Sequence, residues 1–211
     1  KYIDHTLLKP DATIKEINRL CTEAIKYNFM SVCINPTFVH HCKKVLKKSN
    51  VKVCTVIGFP LGANTTDIKI RETQMAIKDG ADEIDMVINI GWLKEQKELS
   101  LVNEIKAIKK VCGNRCLKVI VETCLLTNAE KVTACRVVLA SKANFIKTST
   151  GFSTGGATVE DIHLFAQHMP KRVGIKASGG IKTFKDMLKM IKAGATRIGT
   201  SRGVEIMQQA E

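Results

Sequence analysis

Aromatic residues are scarce, with one tryptophan, two tyrosines and seven phenylalanines making up 5% of the 211 positions. No stretch interleaves them with basic residues, so a stacking platform for single-stranded nucleic acid is not expected. Long apolar runs are missing too. None approaches the ~20 residues that cross a bilayer, and no segment has the layout of a secretory signal. No two cysteines stand at C-x-x-C spacing, and no G-x-G-x-x-G follows the first apolar run. The usual marks of zinc ribbons and of dinucleotide-binding sheets are therefore lacking. Acidic residues number 20 against 33 lysines and arginines, which leaves a formal charge of +13.

Hydrophobic residues make up 45% of the chain, enough to fill a core, and no linker or shift in composition divides it. One domain over residues 1–211 is expected. The eight cysteines (Cys21, Cys33, Cys42, Cys54, Cys112, Cys116, Cys124, Cys135) are scattered over apolar strands and helix faces in a chain too large to need staples. They read as free thiols of a reducing cytoplasm. His40-His41-Cys42 has metal-binding residue types, but neighbours on a helix point in different directions, so no metal site is expected there. The positive charge lies mostly on helices, as with Lys43, Lys44, Lys47 and Lys48, or Lys106, Lys109 and Lys110. It reads as solvated surface plus attraction for a small anion, with no nucleic-acid or membrane partner.

Taken in order, apolar runs and helical periodicities alternate. Strands are expected at Tyr2 to Leu8, Met30 to Asn35, Val51 to Phe59, Glu83 to Ile90, Leu117 to Glu122, around Lys147, around Lys176, and at Arg197 to Ser201. Helices are expected from Thr13 (an N-cap with Glu16 three residues on), and over Thr37–Lys48, Thr66–Lys78, Leu93–Val111, Asn128–Ser141, Val159–His168 and Phe184–Ala193, with a last short one after Ser201. Most of the strands are continuous apolar runs, as expected of a parallel sheet covered by helices. Eight of them favour a closed (β/α)₈ barrel over an open flavodoxin-like or Rossmann sheet. In such a barrel the site lies at the C-terminal strand ends, here Asp4, Thr6, Cys33, Asp85, Glu122, Lys147, Lys176 and the Gly199–Ser201 turn.

The stretch Asn144–Gly156, NFIKTSTGFSTGG, concentrates the chemistry. Lys147 sits in an apolar strand, where burial disfavours its charged form, and a neutral amine attacks carbonyls. The glycine-rich loop that follows frees backbone N–H groups for an anion such as phosphate. The plain alternative is a snorkelling lysine followed by a turn. A second lysine in a matching setting, Lys176 in VGIKASGG, weighs against it. If the two strands are neighbours, each ammonium opposes the other and one lysine can be neutral near pH 7.

These residues also carry a resemblance. IDHTLLKP, VCINP, TVIGFPLGANTT, DEIDMVINIG, IKTSTGFSTGGAT, GIKASGGI and ATRIGTS, taken in order over nearly the whole chain, resemble the deoxyribose-phosphate aldolase family. The resemblance implies a class I, cofactor-free and metal-independent aldolase that cleaves 2-deoxy-D-ribose 5-phosphate. It implies Lys147 as the Schiff-base lysine, Lys176 as the lysine that perturbs it, and Asp85 as proton donor and acceptor with a water. It further implies a phosphate site at Gly151, Gly179, Gly180, Gly199 and Ser201, with Asp4 and Thr6 in support and Cys33 in the pocket. Lys182 stands where many members carry arginine, and Arg202 where a small residue is usual. The sequence stops at Glu211 and does not include the C-terminal tail whose tyrosine reaches the site in some members. A homo-oligomer is compatible with the family. The other readings are a different phosphate-binding barrel enzyme, such as an isomerase or another Schiff-base aldolase, and a basic nucleic-acid-binding protein that reuses the barrel.

Overall fold

A computed structural model describes residues 1–210. Eight parallel strands close into a barrel in sequence order: β1 (Ile3–Leu7), β2 (Ser31–Ile34), β3 (Lys52–Ile57), β4 (Glu83–Val87), β5 (Cys116–Ile120), β6 (Phe145–Lys147), β7 (Gly174–Ser178) and β8 (Arg197–Thr200), with β8 pairing back to β1. Nine α-helices accompany them: α1 (Ile14–Lys26), α2 (Val39–Val45), α3 (Thr66–Lys78), α4 (Ile90–Lys94), α5 (Glu98–Cys112), α6 (Asn128–Ser141), α7 (Val159–His168), α8 (Phe184–Ala193) and α9 (Gly203–Gln208). The expected (β/α)₈ architecture is the one found.

The strands alternate in what they bury. Outward-facing residues such as Ile84, Met86, Leu117, Val119, Ile146, Ile175, Ala177 and Ile198 join the helices in one large apolar layer. The inward-facing apolar cluster is small: Leu8, Cys33, Cys54 and Val56, with Phe59 against it. Charged residues occupy much of the remaining interior. This explains why a parallel strand that must be apolar on its helix side can carry Glu83, Asp85, Lys118 or Lys176 on the other.

Local signals set the helix starts. Thr13 with Glu16, Thr127 with Glu130, and Thr183 with Asp186 form reciprocal caps at α1, α6 and α8. Each satisfies first-turn N–H groups otherwise left without partners. Two expectations need correction. The helix expected over Leu93–Val111 is two helices, because the chain breaks after Lys94 and Gln96 takes φ 57° before α5 begins. The helix expected over Thr37–Lys48 begins as a 3₁₀ turn at Pro36–Phe38 and ends at Val45. Proline accepts a first-turn position but donates no N–H to continue a ladder.

Candidate active site

The register of β6 and β7 makes Lys147 and Lys176 Cα partners, so the two lysines are neighbours as expected. Two strands away, β4 projects Asp85 into the same interior. Its Oδ2 accepts from Lys147 Nζ and from Lys176 Nζ, each at 2.8 Å. The mutual repulsion expected of the lysines is thus bridged by a carboxylate. Asp4 lies alongside, with Oδ2 2.6 Å from Lys176 Nζ and Oδ1 accepting from Ser31 and Arg197 at 2.7 and 2.8 Å.

Three more charged groups complete this interior and were missed from the sequence. Lys118 is fully buried on β5 and donates to Asp85 Oδ1 at 2.8 Å and to Cys54 Sγ at 3.3 Å, while also pairing with Glu83. Arg197 bridges Asp4 and Glu83 and stacks on the Phe145 ring at 5.1 Å. A signal for Lys118 was present, a lysine inside LKVIVE, just as Lys147 stands inside NFIK. It has no glycine pair after it.

Asp4, Glu83 and Asp85 therefore face Lys118, Lys147, Lys176 and Arg197. Burial pushes the Asp85 carboxyl upward, but Lys118, Lys147 and Lys176 outweigh it and hold the group well below the carboxylate range. Asp4 is lowered in the same way, with Lys176, Lys118 and Arg197 overcoming burial. Lys176 is raised: burial opposes its charge, and Asp4 and Asp85 more than compensate.

Above this cluster a cavity of about 290 Å³ opens at the C-terminal strand ends. All five residues expected at an anion site (Gly151, Gly179, Gly180, Gly199 and Ser201) line it, and so do Thr6, Lys182 and Arg202. Of the buried charged cluster, Lys147 alone reaches the lining among the described residues. Asp85, Lys176 and Asp4 lie beneath it. Cys33, expected in the pocket, is instead sealed within the barrel wall at 1% exposure and does not line the cavity.

The loops that form the rim are tied together. Glu122 (φ 55°) follows β5, and its carboxylate accepts from the Thr150 hydroxyl and from the Thr150 backbone N–H. Ala157 N–H reaches the carbonyls of Ser178 and Gly179 at 3.0 and 3.1 Å. The loops after β6 and β7 meet backbone to backbone, so that a Cβ on Gly156 would fall 2.4 Å from the Gly179 carbonyl oxygen. His40, His41 and Cys42 do not converge: His41 meets Asn18 at 2.7 Å, and Cys42 is buried while His40 is exposed. The described residues contain one group with ligand atoms close together, Cys33, Cys54 and Asp85. Its carboxylate is already engaged by three ammonium groups. Among the described residues no helix is long and apolar enough to cross a membrane.

Known proteins bear on this arrangement over the whole chain. The deoxyribose-phosphate aldolase of Malacoplasma penetrans is 60% identical over 205 residues, covering 97% of this chain and 92% of that protein. Deoxyribose-phosphate aldolase 1 of Vibrio vulnificus is 57% identical over 206 residues, covering 98% of this chain and 94% of the relative. Among solved structures, a putative deoxyribose-phosphate aldolase from Coccidioides immitis superposes with a TM-score of 0.97 at 39% identity, covering 100% of this chain and 84% of the other. The tetrameric deoxyribose phosphate aldolase of Aeropyrum pernix gives 0.91 at 32% identity, over 98% and 88%. The profile of the DeoC/LacD family aldolases matches residues 1–209, and the chain, with its lysine-lined barrel, belongs to that family.

Proposed function

We propose that this aldolase cleaves 2-deoxy-D-ribose 5-phosphate reversibly to D-glyceraldehyde 3-phosphate and acetaldehyde, through a Schiff base on Lys147. The observation that carries the reading is that Lys147 is the one member of the buried charged cluster that opens into the cavity, opposite a rim of glycine turns and cations. Its amine adds to the C1 aldehyde, and loss of water leaves a protonated imine. That imine draws electrons from the C2–C3 bond as the C3 hydroxyl loses its proton, so glyceraldehyde 3-phosphate departs and an enamine remains. Protonation at C2 and hydrolysis then release acetaldehyde and regenerate the amine. The imine is the electron sink, so no metal is needed.

Asp85 and Lys176 lie beneath the reacting amine and serve as its proton relay. The carboxylate contacts Lys147 directly and takes up and returns its proton, while the Lys176 charge on the same oxygen assists that exchange. The 5-phosphate rests on the backbone at Gly151, Gly179, Gly180 and Gly199, on Ser201, and near Lys182 and Arg202. Thr6 lines the same cavity and meets the sugar, while Asp4 fixes Lys176 from below. The Aeropyrum pernix relative is tetrameric, and a homo-oligomer is proposed for this chain by analogy.

Borohydride reduction in the presence of acetaldehyde, followed by peptide mapping, tests the assignment. An ethyl group on Lys147 is expected; a label on Lys176 reverses the two roles. Comparing deoxyribose with its 5-phosphate tests the rim, and equal kcat/KM for both would remove the phosphate site from the reading.

A further inference from the structure

Two cysteines sit side by side inside the barrel and take no step in the reaction above. Cys33 and Cys54 are Cα partners across the parallel β2–β3 pair, both carry free thiols, and they are 1% and 0% exposed. Both sulfurs and one carboxylate oxygen of Asp85 lie within 4.8 Å of one another. Neighbouring strands run about 4.8 Å apart, inside the Cα separation of about 4.4–6.8 Å that a disulfide spans. That spacing meets the backbone requirement for joining the two sulfurs.

The surroundings give the two thiols different characters. Cys54 Sγ lies 3.1 Å from Asp85 Oδ1 and 3.3 Å from Lys118 Nζ. Cys54 beside it, with Lys176 and Lys147, holds the Cys33 thiol below its usual range despite burial, whereas burial pushes Cys54 well above it. The pair therefore sets a thiol whose ionisation is favoured within 4.8 Å of one whose ionisation is opposed. Thr6, the Cα partner of Cys33 on its other side, lines the cavity, so the buried thiol lies one strand from the open mouth.

We propose that Cys33 and Cys54 are an oxidation site, closed to an intramolecular disulfide by hydrogen peroxide, and that the closed form is a slowed aldolase. The Cys33 thiolate attacks one peroxide oxygen, the O–O bond breaks, and the departing hydroxide takes up the proton that Cys33 released, giving water and a sulfenic acid. Cys54 then attacks that sulfur, and its proton leaves with the sulfenic hydroxyl as a second water. Two sulfurs are oxidised by one electron each, and one peroxide is reduced to two waters. Closure draws Cys54 Sγ away from Asp85 and Lys118 and so removes a hydrogen-bond partner from the carboxylate that sits under Lys147. A lost hydrogen bond to a charged group corresponds to roughly a tenfold fall in turnover.

The test uses the full-length enzyme carrying Cys124→Ser, which removes the one exposed thiol. It is treated with hydrogen peroxide, alkylated under denaturing conditions and digested without reduction. A cross-linked peptide joining positions 33 and 54 is expected, rising in step with a roughly tenfold loss of aldol activity that dithiothreitol reverses. Cys54→Ala should yield no cross-link, and its own starting activity should no longer fall and recover in this reversible way. Full alkylation of both cysteines in peroxide-inactivated enzyme overturns the proposal. So does a cross-link placed elsewhere, as between the buried Cys21 and Cys42, or a 33–54 cross-link that leaves activity intact. The peptide readout does not depend on the substrate, so it separates failure of this site from failure of the proposed reaction.

Discussion

Lys69 and Glu104 meet in the helical layer, where the ammonium donates to both carboxylate oxygens at 3.0 Å and to the Val87 carbonyl at 2.9 Å. Lys118, Lys147 and Lys176 meet Asp85 inside the barrel. Both places bury lysine completely or nearly so, yet they treat its proton in opposite ways. In the helical layer burial prevails: the Lys69 ammonium is lowered and the Glu104 carboxyl raised, each having one main countercharge. In the barrel the countercharges prevail, with Lys118 and Lys176 raised and Asp4 and Asp85 lowered. Desolvation is common to both, and the number of opposite charges within reach decides the sign. A cavity then separates an anchor from a site, because Lys147 borders open space and Lys69 does not.

Lys147→Leu breaks the contrast hardest. It should remove activity by on the order of 10⁴-fold or more and abolish borohydride trapping at every pH. Lys176→Leu comes next, with a loss of about 10²–10⁴-fold for want of proton transfer. Covalent trapping on Lys147 should survive it, with its pH dependence moved upward, since Asp85 Oδ2 then faces Lys147 alone while Lys118 stays on Oδ1. Mass mapping across pH distinguishes the two variants. On the other side of the comparison, Lys69→Met strands a buried carboxylate and should destabilise by about 3–5 kcal/mol, while the double change Lys69→Met/Glu104→Leu recovers most of that loss. Urea unfolding measures both, and kcat per folded molecule should hold in each.

The smallest effect is the response to acid. Asp4 and Asp85 are depressed in the folded state, so the stability they contribute is whole above about pH 4 and is lost as pH falls toward their folded values. Lys118 and Lys176 are raised, so theirs is whole below about pH 10 and is lost only above it. The contribution of these four groups should therefore run level between those limits and fall below about pH 4. The acid limb should flatten in Asp85→Asn and persist in the Lys69/Glu104 double variant.

The same contrast shows what could be read in advance. The barrel was readable because each parallel strand must be apolar where helices cover it, and a lysine in such a run stands out, as at Lys147 and Lys176. Lys118 gave the same signal without a glycine loop to mark it. Lys69 gave none, since TDIKIRET has the pattern of a surface helix and its burial depends on Glu104, 35 positions away. The split between α4 and α5 was hidden for a related reason: a left-handed Gln96 leaves little trace in an apolar periodicity. Asp85 was recognised, but its place between two ammonium groups is a property of strand register, which one-dimensional spacing does not contain.

The backbone contact between Gly156 and Gly179 has a consequence for altering this enzyme. With no room for even a methyl group at Gly156, and Gly179 held at positive φ against it, the crossing of the two loops cannot acquire side chains to reshape the ligand they face. Adaptation to a substrate lacking phosphate is thereby channelled to the rim positions that already carry side chains, Lys182, Ser201 and Arg202. An engineer who randomised Gly156 and Gly179 would harvest mostly collapsed loops. One who randomised those three positions would be changing charge and reach on a scaffold that stays put.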